Sequence, residues 1–84
     1  LFSCLKYAYQ AGKIGGTMPA VLNAANEIAV AKFLAGELKF VQIPELIYNV
    51  MNKHQVITEP TLKDIMDSDK WARKVAEEMG CQMC

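Results

Sequence analysis

The stretch from Gly15 to Gly36, GGTMPAVLNAANEIAVAKFLAG, constrains the fold more than any other part of the chain. It is apolar and alanine-rich, with a helix start at one end and a helix stop at the other. Pro19 suits the first helical turn, where a missing N–H costs nothing, and Thr17 or Met18 stands before it at the cap. Gly36 suits the end, because the residue just past a helix often takes positive φ. At about 100° per residue, Val21, Ala24, Ala25, Ile28, Ala29 and Phe33, with Leu22 at the edge, cover well over half the circumference. A helix at about 18–34 therefore needs neighbours on more than one side.

The remaining arc carries Asn23, Asn26 and Glu27. Their i, i+3, i+4 spacing raises three hydrogen-bonding side chains together from one turn. A buried polar group without a partner costs roughly 1–3 kcal/mol, so this stripe faces water or a polar neighbour. It reads as a solvent strip or a set of structural hydrogen bonds, or as a contact to another domain or subunit. One carboxylate and two amides make a thin set for metal binding or acid–base work.

Shorter amphipathic segments flank this rod. Residues 3–12 place Leu5, Ala8 and Tyr9 on one face with Phe2 above them, and Ser3 is a candidate N-cap. Gly12, Gly15 and Gly16 then form a flexible turn. That turn lacks the Walker spacing and the G-x-G-x-x-G pattern and follows a helix, so a tight helix-to-helix connection is expected rather than a phosphate cradle. Residues 37–43 read as an extended connector whose Leu38 and Phe40 plug the core. Pro44 starts the next helix, with Leu46, Ile47, Val50 and Met51 inward and Ile43 packing back on Ile47.

His54 closes that helix, where it meets the negative end of the helix dipole. Thr61 and Asp64 form a capping box with Asp in the usual Glu position, opening a short helix with Leu62, Ile65 and Met66 inward. Asp67, Ser68 and Asp69 offer caps for a last helix lined by Trp71, Val75 and Met79, with Ala72 and Ala76 beside them. Trp71 is expected as a core anchor.

Composition narrows the function. Hydrophobic residues make up 52% of the chain and charged residues 21%. That is rich for a small domain, and some apolar surface is expected to meet a partner. Nine basic and nine acidic residues cancel, leaving no basic field for a nucleic acid. The longest apolar runs fall short of the roughly 20 residues a membrane span needs. The chain starts at Leu1, as expected of a piece of a longer polypeptide.

The cysteine count of three, Cys4, Cys81 and Cys84, argues for a reducing compartment over a disulfide framework. Cys81-x-x-Cys84 resembles a redox or zinc half-site without a second pair. Cys4 and His54 could join it around one zinc, although no spacing requires it. No nucleophile elbow, paired carboxylates or Ser-His-Asp set is present. No catalytic, cofactor-binding or metal-binding residue is therefore assigned.

The segment GGTMPAVLNAANEIAVAKFLAGELKFVQIPELI resembles the C-terminal helical domain of the 1-deoxy-D-xylulose 5-phosphate reductoisomerase family. CLKYAYQAGKIGGTMPAVLNAANEIAVAKFL and EPTLKDIMDSDKWARKVA extend the likeness to about residues 1–79, leaving GCQMC outside it. The resemblance implies an enzyme that converts 1-deoxy-D-xylulose 5-phosphate to 2-C-methyl-D-erythritol 4-phosphate with NADPH and Mg²⁺ or Mn²⁺ in isoprenoid biosynthesis. It also implies a homodimer, in a bacterial cytoplasm or a plastid-type organelle. The family's cofactor, metal and substrate-phosphate residues precede this segment, so none transfers to it. The implied domain is one arm of a V-shaped subunit, with Asn23, Asn26 and Glu27 as candidate contacts to the remaining domains.

The expected fold is all-α: a single domain over 1–84, a small antiparallel four-helix bundle plus a short extra turn, packed around the helix at about 18–34, with a disordered tail at 80–84. The fragment itself is expected to be non-catalytic. The alternative from another class is a free-standing helical protein–protein interaction module.

Overall fold

In a computed structural model, which describes residues 2–83, the chain forms four helices: α1 (Phe2–Ile14), α2 (Met18–Leu34), α3 (Gln42–Lys53) and α4 (Leu62–Met83). No strand occurs among the described residues. The helices form a small all-α bundle, as the sequence pattern requires. The alanine-rich rod α2 touches each of the other three. Its Val21, Ala24, Ala25 and Ala29 are buried, as are Ala72 and Ala76 on α4, the helix with which it shares its largest contact. Small side chains on both helices let their backbones approach closely, while Leu46, Ile47 and Val50 of α3 supply the bulk of the core. The Cα radius of gyration is 12.1 Å. A well-packed domain of this length has about 12 Å, so the bundle is closed.

Local chemistry sets the helix ends. Thr17 is the N-cap of α2 and Pro19 lies in its first turn. Gly36 takes φ +78°, with Gly36 N–H donating to Phe33 O at 3.0 Å and Glu37 N–H to Lys32 O at 2.8 Å. This pair of bonds is a Schellman stop. In the capping box of α4, Thr61 N–H donates to Asp64 Oδ2 at 3.0 Å and Asp64 N–H to Thr61 Oγ1 at 3.1 Å.

Several expectations differ from what is observed. Residues 37–41 form turns, not an extended connector. Leu38 plugs the core, but Phe40 stays half-exposed with its edge against Phe33 at a centroid distance of 5.6 Å. α3 starts at Gln42, two residues before Pro44, because proline is tolerated anywhere in the unbonded first turn. The short helix and the last helix are one: α4 runs unbroken from Leu62 through Asp67, Ser68 and Asp69. Lys63–Asp67 and Arg73–Asp69 ion pairs at i, i+4 spacing support the continuous helix across the supposed break.

The first turns of α4 overhang the bundle, which leaves Leu62, Ile65 and Met66 exposed rather than inward. At its far end α4 stays helical through Gly80 to Met83, where a disordered tail from 80 was expected. Gly80 is buried against the Lys32 side chain, which ties that turn to α2. Cys84 lies outside the described residues.

The face of α1 is also reversed. Leu5 is 70% and Tyr9 66% exposed, while Ala11 is buried and Tyr7 packs on Tyr48 of α3 at 5.7 Å. The side chains of Phe2 and Ser3 lie outside the described residues.

Candidate functional site: polar cross-links around the central helix

Each end of α2 carries a polar cross-link. At its N-terminus Thr17 is fully buried, yet its hydroxyl makes no capping bond to its own helix. The oxygen instead accepts from Ile57 N–H at 3.0 Å and lies 2.7 Å from His54 Nε2. After accepting from the amide, the Thr17 hydroxyl still has a hydrogen to donate and a second lone pair, so it can pair with His54 Nε2 in either tautomer of the ring. Thr17 N–H donates in turn to Ile57 O at 3.1 Å. One residue thus ties the α1–α2 loop to the α3–α4 connection.

Gly16 makes this approach possible. Its φ is +58°, and a Cβ there would run into the Ile57 carbonyl. Thr17 N–H and Met18 N–H are both engaged, the latter with Gly15 O at 3.1 Å, so the glycine turn is a joint rather than a phosphate cradle. The His54 ring lies 5.1 Å from Trp71 of α4, and burial lowers its pKa below the usual histidine value. Lys53, Asp64, Asp67 and Ser68 join His54 and Trp71 around an open cavity of about 370 Å³.

Near its C-terminus α2 carries Lys32, only 5% exposed, with Nζ 3.0 Å from Glu77 and 3.5 Å from Glu37. The hydrogen bond to Glu77 raises its pKa above the usual lysine value. Both carboxylates remain solvated, so the aliphatic stem is buried while the charge is satisfied from the rim.

The polar stripe divides into two parts. Asn23 Nδ2 donates to Glu27 Oε2 at 3.0 Å, and Arg73 Nη2 of α4 donates to the same oxygen at 3.1 Å. Arg73 Nε also donates to Asp69 at 2.9 Å, so Glu27 is a bridge to α4. Asn26 makes no hydrogen bond among the described residues. It stands with Asn23 at the rim of a cavity of about 280 Å³ between α1 and α2.

The sequence reading gave His54 a dipole role and missed its bond to Thr17, since no short-range pattern links residues 37 positions apart. Lys32 and Arg73 were missed for the same reason. Cys81 is exposed, while the Cys4 side chain and Cys84 lie outside the described residues. Among the described residues no three His, Cys, Asp or Glu side chains come together as metal ligands would. No described helix is long and apolar enough to cross a membrane. These residues do not fit a divalent ion or a dinucleotide phosphate.

Fold and cross-links together define a small helical domain whose polar side chains hold its own elements in place. The model of the DXP reductoisomerase C-terminal domain matches residues 1–75, and the chain belongs to that family. It is 55% identical to the 1-deoxy-D-xylulose 5-phosphate reductoisomerase of Desulforamulus reducens, over 93% of this chain and 20% of that protein. The enzyme of the same name from a Synechococcus species is 49% identical over 96% of this chain and 21% of its own length. That of Bacillus pumilus is 54% identical over 93% and 20%. The chain thus spans about a fifth of the length of the relatives it matches.

Proposed function

We propose that this chain is the C-terminal structural domain of a reductoisomerase that converts 1-deoxy-D-xylulose 5-phosphate to 2-C-methyl-D-erythritol 4-phosphate with NADPH, in the non-mevalonate route of isoprenoid biosynthesis. The identity of about half over nearly the whole chain carries this reading. The domain does no chemistry itself. NADPH and the Mg²⁺ or Mn²⁺ ion are held by the rest of the polypeptide. The parent acts as a homodimer, and its bacterial relatives support a cytoplasmic setting over a plastid-type organelle.

In this role α2, fixed at both ends, makes the domain a stiff arm. A stiff wall lets cleft closure exclude water around reacting groups supplied elsewhere. Asn23 and Glu27 stiffen the arm through Arg73, and Asn26 contributes hydrogen bonds to the neighbouring domain. In the full-length protein, substrate-dependent NADPH oxidation is expected. Asn23→Ala with Glu27→Ala lowers the melting temperature while leaving the metal concentration for half-maximal activity unchanged. A large loss of metal affinity at unchanged stability, or no turnover by the wild-type protein, overturns the reading.

A further inference from the structure

Leu5, Ala8, Tyr9 and Gly12 follow the i, i+3, i+4, i+7 spacing of one helix face. Amphipathic helices turn such a face toward a core. Here α1 meets the bundle with Tyr7 and Ala11 and points Leu5 and Tyr9 outward. The bundle is already closed, so loose packing does not explain the exposure.

That face continues into the cavity between α1 and α2, which Ala8, Ala11 and Gly12 border from α1 and Ile47 borders from α3. At about 280 Å³ it is far roomier than the ~30 Å³ share of one water. No ionisable side chain lines it. At its rim the Asn26 carboxamide, with two donors and an acceptor, has no partner among the described residues, and an amide of this kind can exchange two hydrogen bonds with a peptide unit. An uncharged groove with one free amide suits an extended, apolar stretch of polypeptide. It offers nothing to a phosphate or an acidic peptide.

We propose that this face of α1 and the Asn26-rimmed groove seat an apolar segment from the part of the parent polypeptide that precedes this domain. The proposal rests on the reading of the chain as the C-terminal domain of a longer enzyme. Four-fifths of each relative lies outside the matched region, and the family is a C-terminal domain, so that polypeptide arrives at the start of α1. At 1.5 Å per residue, Ala8 is only about 9 Å along the helix from Phe2. A tethered segment is present at roughly millimolar effective concentration, which favours it over a second copy of the chain or a free peptide.

The test is hydrogen exchange on the full-length protein, wild type against Ala8→Trp, which fills the groove from an exposed position, and Asn26→Ala. In the wild type one segment preceding the domain is protected, and in each variant it exchanges at least about tenfold faster, while the amides of Thr17 and Ile57 keep their native protection. If Ala8→Trp also loosens Thr17 and Ile57, Asn26→Ala decides. Unchanged exchange of every preceding segment in the deciding variant overturns the proposal. Protection of the groove that grows with protein concentration also overturns it, because it marks a second copy as the occupant. Turnover of the sugar phosphate is scored separately. Turnover without a seated segment sinks this inference alone, and a seated segment without turnover sinks the reductoisomerase reading alone.

Discussion

Thr17→Val tests whether the N-terminal joint is held by hydrogen bonds or by shape. Valine keeps the volume and β-branching of threonine but offers neither donor nor acceptor. Two groups lose their partner: Ile57 N–H, now bonded at 3.0 Å, and His54 Nε2 at 2.7 Å. Leaving a buried polar group unsatisfied costs roughly 1–3 kcal/mol. Because Ile57 is exposed and His54 only partly buried, water recovers some of this, and the low end applies to each, for a sum of about 2 kcal/mol. Thr17→Ser keeps both bonds and loses one methyl group, about 0.8 kcal/mol. Thr17→Ala loses both, so the expected order of cost is Ser, then Val, then Ala. Native-state hydrogen exchange at Ile57 and Met18 in the full-length protein reads the difference, about 30-fold faster opening for the valine variant. A valine variant no worse than the serine variant would refute the argument and assign the joint to packing alone.

The same joint titrates. Burial lowers the His54 pKa, so the folded protein prefers the neutral ring and the unfolded chain binds more protons just below the ordinary value of 6.5. The stability it contributes is whole above pH 6.5 and is lost as pH falls from there toward the lowered value. Asp64 and Asp67 of α4 and Lys53 of α3 face the same cavity. Thermal melts between about pH 8 and about pH 5 should show this slope in wild type and a flatter profile in His54→Gln. Gly36→Ala is expected to cost about 1–2 kcal/mol by melting or denaturant titration, the penalty of a left-handed backbone alone, since nothing lies near its Cβ position. Gly16→Ala should cost at least about 2 kcal/mol more, because its Cβ meets Ile57 and Thr58 backbone and breaks the Thr17 pairing.

Much of the fold was legible because it is written in local chemistry. The GGT-x-P opening and Gly36 fix α2, the capping box of Thr61 and Asp64 fixes the start of α4, and the spacing of Leu46, Ile47, Val50 and Met51 fixes the inner face of α3. The reading failed where local signals offered more than the chain uses. Asp67, Ser68 and Asp69 are all good caps, but in the middle of α4 two of them pair with Lys63 and Arg73 one turn away, and the helix runs on. The candidate site was legible in part. The spacing of Asn23, Asn26 and Glu27 announced a polar stripe, whereas its division depended on Arg73, which lies 46 positions away from Glu27.

The reversal of α1 has a different origin. Hydrophobic periodicity records the burial a helix meets in the whole protein in which its sequence evolved, and this chain spans about a fifth of the length of its relatives. The pattern of Leu5, Ala8 and Tyr9 reads inward, and the bundle leaves that side open. Half-buried Tyr7 and buried Ala11, which meet the bundle, lie off that face. A small side chain at Ala11 and an amphipathic ring at Tyr7 allow α1 to be gripped from that side without a strong apolar signature. Tyr7 and Ala11 hold α1 to the bundle from one side, and Leu5 and Tyr9 on the other leave an apolar face open to the segment proposed to seat there.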